Sequence, residues 1–317
     1  MSQTPLSNSS ALAKVSVISV SSPLAPSIRD EVEEFFLKSA DISLSYLIDP
    51  YHAHGSGEFL FSSDAPSDRW QAMRRYLEGP EEPPLALIAR GGSGAHELLH
   101  LGFRAEVEEA LHSKKAICGF SDFTVLLLAL YGIEGLTLIH GPSLLGFRAE
   151  VPSLARSKNL DSLLRLFEGH RELISREELT MISGKTGSVV VAPLVGGNLS
   201  VLCSMVGTPF LPEFSGKLLV VEDVGEAPHK VYRNLCHLAA AGLLDNLQGV
   251  ILGDFSKCSH LQGKRPDCME VFQHFFARWS FPVYSTDVFG HGMRNRALPI
   301  GKDVQCSPEG VSLVNPL

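Results

Sequence analysis

The chain has 317 residues, 44% of them hydrophobic and 20% charged, with 27 Lys and Arg against 35 Asp and Glu and a formal net charge of −8. That length exceeds the usual span of one hydrophobic core, so two domains are the default expectation, and the apolar content excludes a disordered chain. The acidic balance excludes a nucleic-acid footprint. No stretch reaches the roughly 18 apolar residues of a membrane span, so neither nucleic acid nor membrane is expected as a partner.

Met1 to Ala13 is polar and Ser-rich, without a basic segment leading into an apolar one, and a cytoplasmic address follows by default. Ala13 to Val20 alternates in period two and reads as a strand; Ile28 to Ser39 reads as a helix with acidic residues in its first half. A second strand and loop are expected over 41–53, a Gly/Ser/Asp-rich stretch over 54–67, and a helix from Asp68 to Leu77 capped by Ser67. Pro83 to Ala89 is a buried strand. It ends in Arg90-Gly-Gly-Ser-Gly-Ala95, a glycine turn opening into a helix, where backbone amides can approach an anion. Ser93, between two glycines, is a candidate nucleophile as well as a plain turn residue.

The stretch from Lys115 to Leu130 organises the rest. An apolar run ends at Gly119, Ser121 follows two residues later, and a strongly apolar helical pattern starts at once. On such a strand-to-helix turn a Ser hydroxyl is pushed out at the end of the sheet, with the amide of Asp122 beside it. The same Ser can equally serve as a helix cap. Strands and helices alternate from Ala13 through Leu138, which predicts a mostly parallel sheet covered on both faces, with both glycine turns at the carboxyl edge where ligands bind.

Ser157 to Ser175 reads as an amphipathic helix bridging to the second half of the chain. Short β-like runs then appear at 187–193, 217–223 and 249–253, with helical segments at 198–206 and 230–244, so a second, β-rich domain is expected. The division is 13–145, a helical linker over 146–183, and 184–317. Glu222 ends an apolar strand and needs a partner, either a structural cation such as Arg233 or a histidine it orients. His291 stands between two glycines that leave its ring accessible, as in any surface loop. The heptapeptide Leu-Gly-Phe-Arg-Ala-Glu-Val occurs at both 101–107 and 145–151 without wider similarity. The six cysteines, Cys118, Cys203, Cys236, Cys258, Cys268 and Cys306, form no C-x-x-C pair and read as buried free thiols rather than a zinc site or disulfide framework. With H-E-x-x-H also missing, no metal or cofactor is expected.

Ser121, Glu222 and His291 follow the chain order of nucleophile, acid and histidine used by α/β-hydrolases. The ordered set Arg90-Gly-Gly-Ser-Gly94, Gly119-Phe-Ser-Asp-Phe-Thr124, His140-Gly-Pro142, Gly196-Gly-Asn-Leu199, Gly207-Thr-Pro209, Val221-Glu-Asp-Val-Gly-Glu226 and Gly290-His291 resembles the LD-carboxypeptidases, serine peptidases related to the microcin-immunity hydrolases. The resemblance implies an α/β fold with a Rossmann-like N-terminal domain and a smaller β-rich C-terminal domain. It implies Ser121 as nucleophile, Glu222 and His291 as its relay, the amides of Gly92 and Asp122 as an oxyanion hole, and a homodimer. The implied substrate is a small peptide, a murein tetrapeptide cut before its terminal D-alanine during cell-wall recycling. Arg90, Arg294 and Arg296 lie near the right motifs for its carboxylate. The chain departs from the family at Ser93, where Tyr is common, and at His229 and Tyr232, where Tyr and Asp are common; these departures touch substrate contact. A peptide-nucleotide hydrolase of the microcin-immunity kind and a non-catalytic anion-binding module are the alternatives.

Overall fold

The computed structural model describes residues 12–51, 62–184, 187–259 and 266–317. Most of the leader and most of the Gly/Ser/Asp-rich stretch over 54–67 lie outside these residues. Five strands, β1 (Lys14–Ile18), β2 (Ser43–Tyr46), β3 (Leu85–Ile88), β4 (Lys115–Gly119) and β5 (Leu136–His140), form a parallel sheet in the order 2-1-3-4-5. Every residue of β3 and β4 is buried, the continuous rather than alternating pattern of strands covered on both faces. The connections carry α1 (Arg29–Ala40), α2 (Pro66–Glu78), α3 (Phe103–Ala110) and α4 (Thr124–Ala129). Helix α2 starts two residues earlier than Asp68, with Pro66 in its first turn and Ala65, not Ser67, as N-cap. Proline is pre-set for that first turn because the amide it lacks has no helical partner there. After the glycine turn only a short 3-10 segment, Ala95–Leu98, forms.

A second sheet of eight strands contains β6 (Glu172–Ser175), β7 (Thr180–Ser183), β8 (Val190–Asn198), β9 (Leu218–Glu222), β10 (Gly249–Leu252), β11 (Val283–Ser285), β13 (Asp303–Ser307) and β14 (Gly310–Leu313). Strands β8 to β11 run parallel, and antiparallel partners flank them on both sides. Helices α6 (Leu199–Met205), α7 (Pro228–Ala240) and α8 (Cys268–Phe276) connect its central strands.

Of the segment read as a helical linker, only α5 (Ser153–Phe167) is α-helical. Gly169 in the left-handed region follows it, and β6 and β7 then enter the second sheet. In the opposite direction β12 (Leu298–Ile300) leaves the second unit and pairs antiparallel with β5 at the edge of the first sheet.

Helix α4 is buried on every side, from Thr124 to Ala129, as a helix apolar all round must be. It packs against β5 in its own unit and against β8 and α6 in the other. The helix that follows Ser121 is therefore also the joint between the two units.

Candidate active site

Ser121 lies two residues past the end of β4, after Phe120, and holds φ at +64°, in the left-handed region. A non-glycine residue there is strained by of order 1–3 kcal/mol and needs surrounding structure to hold it. Two contacts do so. The Asp122 carboxylate, buried, accepts from Ser21 Oγ at 2.7 Å and from the Ala95 amide at 2.9 Å, which ties the turn to the end of β1 and to the glycine turn. Behind them the guanidinium of Arg69, fully buried, donates to the carbonyls of Val20 at 2.6 Å and Gly94 at 3.0 Å and pairs with Glu97.

Gly91 is where the glycine turn meets the nucleophile. A Cβ at that position would stand 2.6 Å from Ser121 Cβ, 2.8 Å from Ser121 Oγ and 3.3 Å from the Asp122 nitrogen. The next peptide carries the Gly92 amide, so the two expected oxyanion donors, Gly92 and Asp122, belong to segments in direct contact. Ser93 is exposed, and its amide donates to Ser22 Oγ at 3.1 Å.

Glu222, at the end of β9, is fully buried, and its partner is a histidine rather than Arg233, which is exposed. His291 Nδ1 lies 2.6 Å from Glu222 Oε2, and Asn198 Nδ2 donates to Oε1 at 3.3 Å. A second imidazole, His140 at the end of β5, is also fully buried and brings Nε2 to 3.9 Å from Oε1, too long for a hydrogen bond. Burial pushes the Glu222 carboxyl up, but His140 and His291 outweigh it and hold the carboxyl down at about 2. Glu222 is thus a carboxylate at neutral pH and an acceptor only. His291 then donates from Nδ1, and Nε2 keeps the basic lone pair.

The His291 ring lies against Phe120, centroid to centroid 4.7 Å, and Phe120 immediately precedes Ser121. The structure thereby brings the Ser121 turn, Glu222 and His291 to one place at the carboxyl edges of both sheets. Among the described residues no hydrogen bond joins Ser121 to His291 directly. Arg294 and Arg296 are not free for a substrate carboxylate. Both pair with Glu178, at 3.0 Å and 2.6 Å, and Arg294 also with Asp287. Among the described residues Arg90 reaches only the Pro23 carbonyl, at 3.4 Å.

The matches to known families cover both units. Residues 15–141 match the LD-carboxypeptidase N-terminal domain and residues 191–306 the LD-carboxypeptidase C-terminal domain. The chain belongs to the LD-carboxypeptidase family. The murein tetrapeptide carboxypeptidase of Pseudomonas aeruginosa is 33% identical to it over 80% of this chain and 82% of its own. The probable murein peptide carboxypeptidase of Bacillus subtilis is 31% identical over 70% of this chain and 68% of its own. Among solved structures, the muramoyltetrapeptide carboxypeptidase of Oxalobacter formigenes superposes with a TM-score of 0.75 at 25% identity, covering 95% of this chain and 97% of that one. MccF in complex with glutamyl sulfamoyl guanosine superposes at 0.78 with 20% identity over 98% and 97%, a likeness of fold.

Asn198 was invisible as a site residue in the sequence of this LD-carboxypeptidase, although it sits in the Gly-Gly-Asn-Leu motif. Its amide nitrogen donates to Thr124 Oγ1 at 2.9 Å across the joint, its Nδ2 serves Glu222 and Asp223, and its Oδ1 caps α6 by accepting from Val201 at 3.1 Å. From the other side Asn159 of α5 accepts from the Asn295 amide at 2.8 Å, and Asn295 Oδ1 accepts from the Gly290 amide at 3.1 Å, bracing the loop that carries His291.

Proposed function

We propose that this LD-carboxypeptidase is a serine peptidase that releases the terminal D-alanine of murein tetrapeptides, with Ser121, His291 and Glu222 as its relay. The observation that carries the reading is the 2.6 Å contact of His291 Nδ1 with an ionised, buried Glu222, on a ring that lies against Phe120, the residue before the strained Ser121. Ser121 Oγ attacks the carbonyl joining the diamino acid to D-alanine while His291 Nε2 takes its proton. Glu222 fixes the tautomer and stabilises the imidazolium. The amides of Gly92 and Asp122 hold the developing oxyanion. The imidazolium then protonates the departing amine, and water, deprotonated by the same nitrogen, releases the acyl group from Ser121. A homodimer working in the cytoplasm, in cell-wall recycling, completes the proposal on the strength of the family resemblance.

The test is D-alanine release from an L-Ala-D-Glu-diamino acid-D-Ala tetrapeptide by wild type and by Ser121→Ala. The variant is expected to keep its fold and lose turnover; turnover at the wild-type rate in the variant would remove Ser121 from the mechanism. Folded wild-type protein that spares the tetrapeptide but cleaves an aminoacyl sulfamoyl nucleoside would move the assignment to the hydrolase kind suggested by the MccF likeness.

A further inference from the structure

Beyond His291, at the ends of β10 and β11, lies a cavity of about 720 Å³. Asp254 lines it, 5% exposed, and uses one oxygen to accept from the Ser256 amide at 3.2 Å. Its other oxygen, Oδ2, is buried with no hydrogen-bond partner among the described residues. A buried carboxylate oxygen without a partner is costly, and the expected remedy is a cation or donor from outside the chain. Arg294, the one cationic side chain among the described lining residues, is already held by Glu178 and Asp287. The remaining charged lining, Glu177 and Asp267, is acidic.

Gly292 adds a second, independent observation. A Cβ there would stand 3.1 Å from Asp254 Cγ and 3.2 Å from Oδ2. Its backbone does not lie in the left-handed region, so conformation does not call for glycine; the close approach of the Asp254 carboxylate does, and any side chain here would cover Oδ2. This glycine directly follows His291.

We propose that Asp254 forms an ammonium subsite beside His291, and that it takes the side-chain amine of the diamino acid whose carbonyl Ser121 attacks. The assignment of the amine to the substrate rests on the proposed carboxypeptidase activity. The chemistry of the subsite, a primary ammonium on a desolvated carboxylate, does not.

The experiment compares kcat/KM for two tetrapeptides that differ only at the third residue, lysine or its uncharged counterpart norleucine, in wild type, Asp254→Asn and Gly292→Ala. Wild type is expected to favour lysine on the order of tenfold, and both variants, checked for an unchanged melting transition, to bring the ratio near one. No preference in wild type, or the same preference in Asp254→Asn, overturns the proposal. A third arm adds butylammonium to the norleucine peptide. Stimulation in wild type and not in Asp254→Asn would assign the subsite to a free amine and overturn the substrate assignment. Should wild type cleave neither peptide, the carboxypeptidase reading fails and the subsite is judged alone, by titrating butylammonium into both proteins by NMR. Saturable shifts in wild type that vanish in Asp254→Asn support it, and equal or absent shifts overturn it.

Discussion

Replacing Gly91 by alanine is the smallest change that reaches the proposed nucleophile without touching it. The added methyl would lie 2.6 Å from Ser121 Cβ and 2.8 Å from its Oγ. Ordinary carbon contacts are about 3.5–4.0 Å, so one side must retreat by roughly 1 Å. Ser121 cannot yield by rotating a long side chain, because the clash includes its Cβ, and its backbone is held at φ +64° between β4 and the buried α4. Gly91 itself has no left-handed φ, so the substitution brings no strain of its own. A crowded insertion of this kind costs about 1–3 kcal/mol of stability. A displacement of about 1 Å at a reacting atom costs on the order of a hundredfold in rate. Steady-state D-alanine release should therefore show kcat lower by that factor, while urea unfolding shows a folded, modestly weakened protein. A Gly91→Ala enzyme with kcat within threefold of wild type would refute the close packing of the glycine turn on Ser121 as the basis of its placement.

Three further outcomes rest on the same geometry. Ser121→Gly should be more stable than Ser121→Ala by about 1 kcal/mol in urea unfolding, since only glycine adopts the left-handed conformation without cost. Asn198→Ala should lose about 2 kcal/mol, by removing a donor from two buried carboxylates, and should lower kcat as well, because Glu222 is one of the two. The Glu222 carboxyl is held at about 2 against its ordinary 4.5, so its contribution to stability is complete above about 4.5 and is lost as pH falls through 2. His140→Phe, which removes one of the groups holding it down, should accordingly destabilise at pH 7 and much less at pH 2; a loss independent of pH, measured by unfolding at both, would show that His140 acts by packing alone.

Much of the architecture was readable from residue order alone. Strands β3 and β10 are unbroken apolar runs, β4 and β9 are apolar but for a charged residue at one end, and the two glycine turns with Ser121, Glu222 and His291 form an ordered set whose members each occupy a strand end, the turn after one or a glycine-flanked loop. The groups that hold the set in place left no local signal, because their contacts span the chain: Asp122 meets Ser21, Arg69 meets Val20 and Gly94, and Asn159 meets Asn295. Strand β6 was hidden because its residues continue the apolar spacing of α5; Gly169 is the local break between them, and pairing with β14 fixes β6 as a strand. The repeated heptapeptide shows the limit of local sequence most directly. Its first copy runs into α3 and is followed by Glu108, Glu109 and Ala110, which continue the helix. Its second copy makes a single 3-10 turn, Leu144–Phe147, and is followed by Pro152, which bars Val151 from the helical region. Both copies bury their phenylalanine completely, Phe103 and Phe147. The same seven residues thus share a hydrophobic anchor but not a secondary structure.

The passage of the chain from β11 in one sheet to β12 in the other bears on how the enzyme can move. His291 lies on the segment strung between these anchors, one fixed to each unit. The two units therefore cannot swing apart as independent bodies on a simple hinge: opening would either peel β12 from β5 or drag His291 away from Glu222. Substrate entry and product exit must then proceed by adjustments smaller than domain opening, and any event that loosens the joint would break the proposed proton relay at the same moment.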